Sequence, residues 1–327
     1  MGRALSRFSI LSIATGSPLY LQLAVNLARS FKWWHRDSEI SFALATDQAH
    51  RLPDDLQDID IIDVAPGQFG QGFSPKLYLN QLAPAPHTLF VDADCLCTGP
   101  LNEAFDRFAG HDVSVIGRAI SEGEWFGDVA TVLKRFELSS MPRFNGGVYY
   151  LEKGPTSTAI FETAQALEKD YDDIGFQRLR TRPNDEVLLS VAMALHEQAP
   201  VPEDGTIMNS TLASPGGMKI DTLRGVSRLY NPESHPDHND WYAQEELNPT
   251  LVHFLGHQTA QYPYRREALR LKRVMADGWP VPLADAWAAS TYSAPYLLKE
   301  KSKDLLRPVY HKLFGTRPIK TAADSRH

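Results

Sequence analysis

Cysteine is scarce in this chain of 327 residues, which contains only Cys95 and Cys97. One intervening residue is too short a spacing for an easy disulfide, and two thiols are too few for a zinc framework, so we expect a structural role for both. The first residues include two arginines but no signal-peptide pattern. No segment approaches the roughly 20 apolar residues that span a bilayer. These absences predict a cytoplasmic protein.

An excess of basic charge is also missing, because 33 Lys and Arg stand against 40 Asp and Glu, for a formal net charge of −7. The balance excludes nucleic acid as a partner recognised through overall charge. Basic residues are concentrated only from Lys299 to His327, where eight Lys or Arg accompany three Asp or Glu. Leu306, Val309, Tyr310 and Leu313 have helical spacing there. The tail is expected either to pack on the protein or to lie at the inner face of an anionic membrane.

Several motifs of common enzymes are absent from the sequence. There is no Gly-x-Gly-x-x-Gly, no Walker A loop, no Gly-x-Ser-x-Gly and no His-Glu-x-x-His. Their absence disfavours a dehydrogenase, a nucleoside triphosphatase, a serine hydrolase and a zincin, respectively.

Strand and helix patterns alternate along the first half of the chain. Phe8–Ala14 is a strand-length apolar run, and Ser17-Pro18 then begins a helical pattern that extends to about Trp34. Further strand patterns follow at residues 40–44, 59–64, 88–92, 112–117, 146–151 and 251–255. The alternation predicts an α/β fold with a mostly parallel sheet flanked by helices. We divide the chain into residues 1–265 and a helical, basic tail at residues 266–327.

Two aspartates follow a strand of buried type. Thr88–Val91 stops at Asp92-Ala93-Asp94, so the two carboxylates are two residues apart and point to one side while the backbone stays extended. Open α/β sheets bind ligands beyond the carboxyl ends of their strands. Paired carboxylates there suit Mg²⁺ or Mn²⁺, ions that commonly bridge protein carboxylates and substrate phosphates.

Five segments in a fixed order resemble the motif set of the GT-A glycosyltransferases, which have a Rossmann-like sheet. The similarity is greatest to the family-8, glycogenin-like and lipopolysaccharide galactosyltransferase branch, and it covers roughly residues 8 to 258. The segments are Ser74–Leu82, Thr88–Asp94, Phe144–Leu151, Asn184–Leu189 and Val252–Gly256.

The resemblance implies a reaction and a set of ligands. The enzyme would transfer a sugar from a nucleotide-diphosphate donor, expected to be UDP-linked, to a glycan or glycolipid hydroxyl, with retention of configuration. His253 would join Asp92 and Asp94 as a metal ligand, and an imidazole beside carboxylates favours Mn²⁺ over Mg²⁺.

The remaining site residues are also assigned by the resemblance. Asp185 and Asn145 would orient donor and acceptor, and Lys76 would stabilise the leaving diphosphate. The predicted donor-binding residues are Thr15, Tyr20, Asp47, Lys76, Asp92, Ala93, Asn145, Gly146, Gly147, Gly256 and His257.

Two departures from the family pattern and two rival interpretations remain. Asn184-Asp185-Glu186 stands where the family often has Asp-Gln-Asp, so either carboxylate is a candidate for sugar contact. Lys-Pro-Trp does not follow Gly256.

A haloacid-dehalogenase-type phosphatase also has Asp-x-Asp after a strand, but on its first strand and with Thr or Val where this chain has Leu96. A non-catalytic nucleotide-sugar-binding protein is the other alternative.

Overall fold

The computed structural model describes residues 6–315. The chain divides into two compact units, of which the first ends at Gly256 and the second begins at His257. No helix within the described residues is both long and apolar enough to cross a bilayer.

The strands all belong to the first unit. They are β1 (Phe8–Ala14), β2 (Ile40–Thr46), β3 (Asp60–Asp63), β4 (His87–Val91), β5 (Cys95–Cys97), β6 (Val113–Ser114), β7 (Ile116–Ile120), β8 (Met141–Phe144), β9 (Val148–Glu152), β10 (Val201–Pro202), β11 (Met208–Ser210), β12 (Met218–Asp221), β13 (Val226–Tyr230), β14 (Glu246–Leu247) and β15 (Leu251–His253).

The α-helices are distributed over both units. The first unit contains α1 (Pro18–Trp34), α2 (Leu79–Leu82), α3 (Asn102–Phe108), α4 (Val129–Arg135), α5 (Pro155–Lys169), α6 (Tyr171–Ile174) and α7 (Asp185–Leu195), and the second contains α8 (Tyr264–Leu271), α9 (Val281–Ala288) and α10 (Ala294–Phe314).

The central sheet has six strands in the order β3-β2-β1-β4-β9-β6. β3, β2, β1 and β4 are parallel, whereas β9 runs antiparallel to both β4 and β6. The carboxyl ends of the four parallel strands therefore meet at one edge of the sheet. The start of β9 lies at that same edge, because Val148 is paired with Val91, the last residue of β4. The predicted α/β fold with a mostly parallel sheet is confirmed.

Both faces of this sheet are covered by helices. Tyr149 and Tyr150 are adjacent in β9 and point to opposite faces. Tyr149 belongs to the buried cluster that includes Phe161 of α5 and Leu188 of α7. Tyr150 stacks on Phe108 of α3, with ring centroids 5.1 Å apart. The alternation of the two tyrosines thus fixes which helices pack on which face.

Two helices that frame the site begin with local capping. Ser17 accepts a hydrogen bond from the backbone N–H of Leu19, and Pro18 occupies the first position of α1. Asn184 caps α7 by accepting from the N–H of Glu186. The first turn of α7 therefore presents Asp185 and Glu186 at a defined place.

Three smaller sheets complete the first unit: β10-β7-β8, β11-β15-β5 and β12-β13-β14. The second of these is important for the site, because β15 pairs antiparallel with β5 and sets His253 opposite Cys95. β11 lies on the other side of β15, with Ser210 opposite His253. β5 directly follows Asp94, so this small sheet connects residues that are more than 150 positions apart in sequence.

Candidate metal and donor site

The two predicted aspartates lie in a turn between β4 and β5. β4 ends at Val91, and the backbone N–H of Cys95 donates to the carbonyl of Asp92 at 3.0 Å. The backbone is therefore not extended at Asp92 to Asp94, contrary to the strand geometry that the spacing suggested. Ala93 is buried inside this turn. The turn and the adjoining strands, rather than strand periodicity, bring the carboxylates together.

His253 lies against both carboxylates. Its Nε2 atom is 3.0 Å from Oδ1 of Asp94 and 3.7 Å from Oδ2 of Asp92. The histidine side chain is only 5% exposed, whereas the two aspartates are 22% and 24% exposed. The structure thus brings together the three predicted metal ligands, which we call the metal corner.

A hydrogen bond on the far side of the imidazole sets its tautomer. Nδ1 of His253 is 2.7 Å from Oδ1 of Asn145, and the same oxygen accepts the backbone N–H of Gly147 at 3.1 Å. Since that oxygen is an acceptor, Nδ1 must carry a hydrogen. Nε2 then either binds a second proton or offers its lone pair to a cation among the carboxylates. A histidine oriented through its other nitrogen is the usual arrangement of a metal ligand.

The donor set fits a divalent cation of the Mn²⁺ type. Two partly exposed carboxylates and one neutral imidazole offer oxygen and nitrogen ligands, which suit Mn²⁺ and, less well, Mg²⁺. Burial acts to lower the pKa of His253, but Asp94 and then Asp92 outweigh it, so its pKa is raised. Burial alone would raise the pKa of Asp94, yet His253 lowers it. His253 and Asp94 therefore each favour the charged form of the other.

Lys76 lies in a 3₁₀ turn at Ser74–Tyr78 and is directed into the site. Its Nζ is 2.8 Å from Oδ2 of Asp92, donates to the carbonyl of Gly146 at 2.8 Å, and is 3.7 Å from Oδ2 of Asp185. Burial acts to lower its pKa, but the carboxylates of Asp185 and Asp92 raise it further, so the ammonium is charged. Lys76 is therefore a mostly buried cation directed at the aspartates of the site.

The two acids at the start of α7 are held differently. Asp185 is 2% exposed and accepts a hydrogen bond of 2.5 Å from the hydroxyl of Tyr149. Glu186 is less deeply buried and accepts the backbone N–H of Gly146 at 2.6 Å. Burial, with the charge of Asp185 beside it, raises the pKa of Glu186 to about 7. Glu186 is the more accessible of the two carboxylates.

Gly146 and Gly147 are required by close packing and not by unusual backbone angles, since neither has a positive φ. A Cβ on Gly147 would lie 2.5 Å from Nδ1 of His253, and one on Gly146 would lie 2.9 Å from the hydroxyl of Tyr149. The backbone N–H of Asp92 also donates to the carbonyl of Gly147 at 2.9 Å. The glycine pair thus allows β9 to begin directly against the metal corner.

The predicted nucleotide-binding residues lie along the carboxyl ends of β1 and β2. Thr15 lines a narrow crevice together with Ala45, Gln68 and Phe69. Tyr20 is 50% exposed on the first turn of α1. Both oxygens of Asp47 accept the backbone N–H of Gly16, so this carboxylate stabilises the β1–α1 turn. These residues share the sheet edge at which Asp92 lies.

The last two predicted donor-binding residues lie at the boundary of the units. Gly256 has a φ of 54° and ends the first unit. His257 is the first residue of the second unit.

Two residues that the sequence did not single out for the site contact it. The thiol of Cys95 lies within 4.8 Å of ligand atoms of Asp94 and His253. Burial, with the two aspartates, raises the pKa of Cys95 well above its usual value, so the thiol is neutral. Tyr149 fixes Asp185 as described above. In the sequence, the only indications were that Cys95 directly follows Asp94 and that Tyr149 lies two residues after Gly147.

The fold of this chain is similar to that of solved glycosyltransferase structures. The galactosyltransferase LgtC in complex with donor and acceptor sugar analogs is similar to this chain with a TM-score of 0.52, covering 83% of this chain and 96% of LgtC at 15% identity. The chain has the GT-A fold. An active-site mutant of LgtC gives a TM-score of 0.51 with the same coverage and 17% identity. Mouse xyloside xylosyltransferase 1 in its apo form gives 0.46, with 14% identity over 78% of this chain and 99% of that one.

Sequence comparison adds no relative to these. No protein-family model matches the chain, and no curated protein sequence matches it significantly. The GT-A fold predicted from the motif order is confirmed, while the roles of the individual residues stay predictions.

Proposed function

We propose that this protein is a metal-dependent glycosyltransferase that transfers a sugar from a nucleotide-diphosphate donor, UDP-linked in our proposal, to a hydroxyl acceptor with retention of configuration. The observation that carries the proposal is the metal corner, in which Asp92, Asp94 and Nε2 of His253 converge. LgtC, which has a similar fold, is named as a galactosyltransferase and was solved with donor and acceptor sugar analogs.

In this proposal Asp92, Asp94 and His253 hold Mn²⁺ or Mg²⁺. The bound ion supplies Lewis-acid stabilisation of the leaving diphosphate. Lys76 adds a positive charge at the same place, and its raised pKa keeps it protonated. Charged groups that are fixed before reaction are effective in catalysis because they need little reorganisation.

The orienting residues act on different partners. Asn145 uses its side-chain oxygen to hold His253 and the N–H of Gly147, so it positions the metal ligand. Asp185 is buried beneath Tyr149 and faces Lys76, so we infer that it positions Lys76. Glu186, which is more accessible, is our candidate for contact with the donor sugar. Thr15, Tyr20 and Asp47 are proposed to meet the nucleotide, and Gly256 and His257 the diphosphate.

A panel of nucleotide sugars with and without Mn²⁺, read by thermal shift and by product analysis, tests this proposal. Because a ligand that binds only the native state raises its apparent stability, one UDP- or GDP-sugar should raise the melting temperature only when Mn²⁺ is present. The anomeric configuration of the product, read by NMR, tests retention. If no nucleotide sugar stabilises the protein under any metal condition, the proposal is wrong.

The structure argues against a phosphatase of the haloacid-dehalogenase type. Asp92 follows the fourth strand, whereas that family has its nucleophilic aspartate after the first strand, and the chain has the GT-A fold. Stabilisation by a nucleotide sugar without any product would instead indicate a non-catalytic binding protein.

We also propose that the second unit contacts the cytoplasmic face of an anionic membrane. Within α10, exposed apolar residues such as Leu298 (65%), Leu305 (78%) and Leu306 (60%) accompany exposed lysines. An amphipathic basic helix binds anionic lipid through buried apolar area and charge attraction. Residues 316–327 of the basic tail lie outside the described residues. Sedimentation with anionic vesicles should fall strongly when residues 297–327 are deleted, and unchanged binding would remove this proposal.

A further inference from the structure

Two arginines share one tryptophan next to the site. Arg118 of β7 and Arg143 of β8 are directly opposite each other in an antiparallel pair. The guanidinium carbon of Arg118 is 3.8 Å, and that of Arg143 4.2 Å, from the ring centroid of Trp241. We call these three residues the arginine patch. The two guanidinium carbons can therefore be no more than about 8 Å apart.

The charges of this patch are not balanced by hydrogen-bonded partners. Between residues 6 and 315, neither guanidinium makes a hydrogen bond or an ion pair with another described side chain or carbonyl. Like charges directly opposite each other in an antiparallel pair are unfavourable, and contact with an aromatic face offsets only part of that cost. Arg143 is half-buried, and polar groups in such positions normally have partners.

Glu203 contacts the patch through Trp241, and both of its oxygens already accept hydrogen bonds. One of its oxygens accepts Nε1–H of Trp241 at 2.6 Å, and the other accepts from Asn209 at 3.0 Å. Burial raises the pKa of Glu203 to about 7, so at neutral pH it does not supply a full negative charge. Burial, followed by the charge of Arg118, lowers the pKa of Arg143, although an arginine remains a cation at neutral pH.

The arginine patch adjoins the metal corner from two directions. Arg143 precedes Asn145 by two residues, and the charge of Glu186, which holds the N–H of Gly146, acts on Arg143. On the other side, Tyr242 follows Trp241, and its hydroxyl lies 3.4 Å from that of Ser210, which is opposite His253 in the β11–β15 pair. The patch is therefore linked to the metal corner through the Arg143–Asn145 segment on one side and through Tyr242 and Ser210 on the other.

We propose that the arginine patch binds an anionic group, a phosphate or a carboxylate, on the sugar acceptor. This inference rests on the proposed function, because it assigns the acceptor side of the same site. Guanidinium groups bind phosphate and carboxylate through paired N–H donors in a planar fork. Neither guanidinium fork has a hydrogen-bonded partner among the described residues, so the N–H donors of the patch are available to an oxyanion. Lys76 and the metal corner already provide for the donor diphosphate, so the patch is free for the second substrate.

Calorimetric titration of the full chain tests the proposal, with Mn²⁺ and UDP present to fill the donor site. The probes are glucose 6-phosphate, glucuronate, neutral glucose and inorganic phosphate. Glucose 6-phosphate or glucuronate should bind at least about tenfold more tightly than glucose. Arg118→Gln and Arg143→Gln should each weaken that binding about tenfold. Arg143→Lys, which keeps the charge but loses the fork, should lose less.

Arg228→Gln is the matched control, because Arg228 is an exposed arginine on β13 that lies 3.5 Å from Glu246. It should bind the anionic sugars like the wild type. Thermal unfolding of every variant checks that weakened binding is not caused by loss of the fold.

Three outcomes would overturn the assignment to an acceptor: no anionic sugar binds the wild type, binding is unchanged in both glutamine variants, or the sugar binds only when UDP and Mn²⁺ are left out. Inorganic phosphate binding as tightly as glucose 6-phosphate would likewise overturn it, since the sugar would then not be recognised. UDP binding is measured on the same samples. If the wild type binds the sugar phosphate through Arg143 but does not bind UDP, the proposed function is contradicted. The anion site would then still stand.

Discussion

The metal corner and the arginine patch contain charges of opposite sign, and the chain treats them differently. In the metal corner each carboxylate has a basic partner, since Asp92 is 2.8 Å from Lys76 and Asp94 is 3.0 Å from His253. In the arginine patch the two guanidinium groups share only an indole ring. A divalent cation arriving at the metal corner must compete with Lys76 and with any proton on His253, whereas an anion arriving at the patch displaces no partner.

This difference indicates two kinds of preorganisation. The carboxylates stay in place without a ligand because a lysine and a histidine hold them, which lowers the reorganisation needed when a metal binds. The guanidinium groups stay in place because Trp241 holds them, and their hydrogen-bonding capacity remains available. Substitutions in the metal corner should therefore affect the reaction itself, and substitutions around the patch should affect affinity or stability.

The largest effect is expected for Asp94→Ala and His253→Ala. Each removes a ligand, so kcat/KM for sugar transfer with Mn²⁺ should fall by roughly a thousandfold or more. Steady-state assays at saturating Mn²⁺ measure this. Asp63→Ala, at an exposed acid ending β3, is the control and should stay near wild type. Near-normal transfer by Asp94→Ala would show that the metal corner is not the catalytic site.

Gly147→Ala should have the next largest effect, because the new Cβ would lie 2.5 Å from Nδ1 of His253 and 3.1 Å from Oδ1 of Asn145. Displacing a group that orients a metal ligand costs about 10- to 100-fold in metal affinity. Mn²⁺ titration followed by thermal shift reads this loss. Gly99→Ala is the matched control, since its Cβ would meet only the Thr250 methyl at 3.4 Å. Equal Mn²⁺ affinities in the two variants would contradict the role of Asn145 and Gly147 in holding His253.

Glu203→Gln should change stability rather than the reaction. The pKa of Glu203 is about 7 in the folded chain and 4.5 for a free side chain, so the native state retains the proton to higher pH. The acid form is the one that folding favours, and stability is therefore lost as pH rises from about 4.5 to 7. Between these pH values the free energy of unfolding should fall by about 1 to 3 kcal/mol less in Glu203→Gln than in the wild type.

Urea unfolding at pH 5 and pH 8 with EDTA present measures this difference. Glu246→Gln, at an exposed carboxyl on β14, is the control. If wild type and Glu203→Gln lose the same stability between the two pH values, the acid beside the arginine patch is not protonated as inferred.

Cys95→Ser should have the smallest effect. The Cys95 thiol is neutral and buried, and the oxygen and nitrogen ligands of the metal corner suffice for a hard cation. Transfer with Mn²⁺ should stay within about threefold of wild type at a temperature where the variant is folded. A tenfold loss of Mn²⁺ affinity would instead place the sulfur among the ligands.

Local patterns predicted the regular parts of the fold well. The strand at Phe8–Ala14 and the helix that begins with Pro18 and ends at Trp34 agree with the structure, because burial period and capping are properties of consecutive residues. The short strands were harder. β5 and β8 have three and four residues, and the expected strand at residues 112–117 is divided between β6 and β7. Such short strands are stabilised by pairing with neighbouring strands, and sequence periodicity does not reveal that pairing.

The candidate site was likewise predicted only in part from the sequence. The resemblance in motif order was enough to select Asp92, Asp94, His253 and Lys76. In the structure Asp92 lies beside Lys76 and His253, and Asp94 lies beside His253. The spacing of the aspartates was interpreted as an extended strand, whereas the structure has a turn. Asp185 and Glu186 could not be told apart by sequence, because which one faces Tyr149 depends on how α7 packs against β9.

By itself, the sequence determined the α/β class and the mostly parallel sheet, because hydrophobic period and caps encode these features locally. The residues that meet at the end of β4 were selected by the resemblance of the motif order to a known family. Only the tertiary structure decided that Asn145 sets the tautomer of His253, that Cys95 lies beside the ligands, and that Arg118 and Arg143 share Trp241. Each of these depends on contacts between segments distant in sequence, and chain folding alone determines which of the many polar side chains become neighbours.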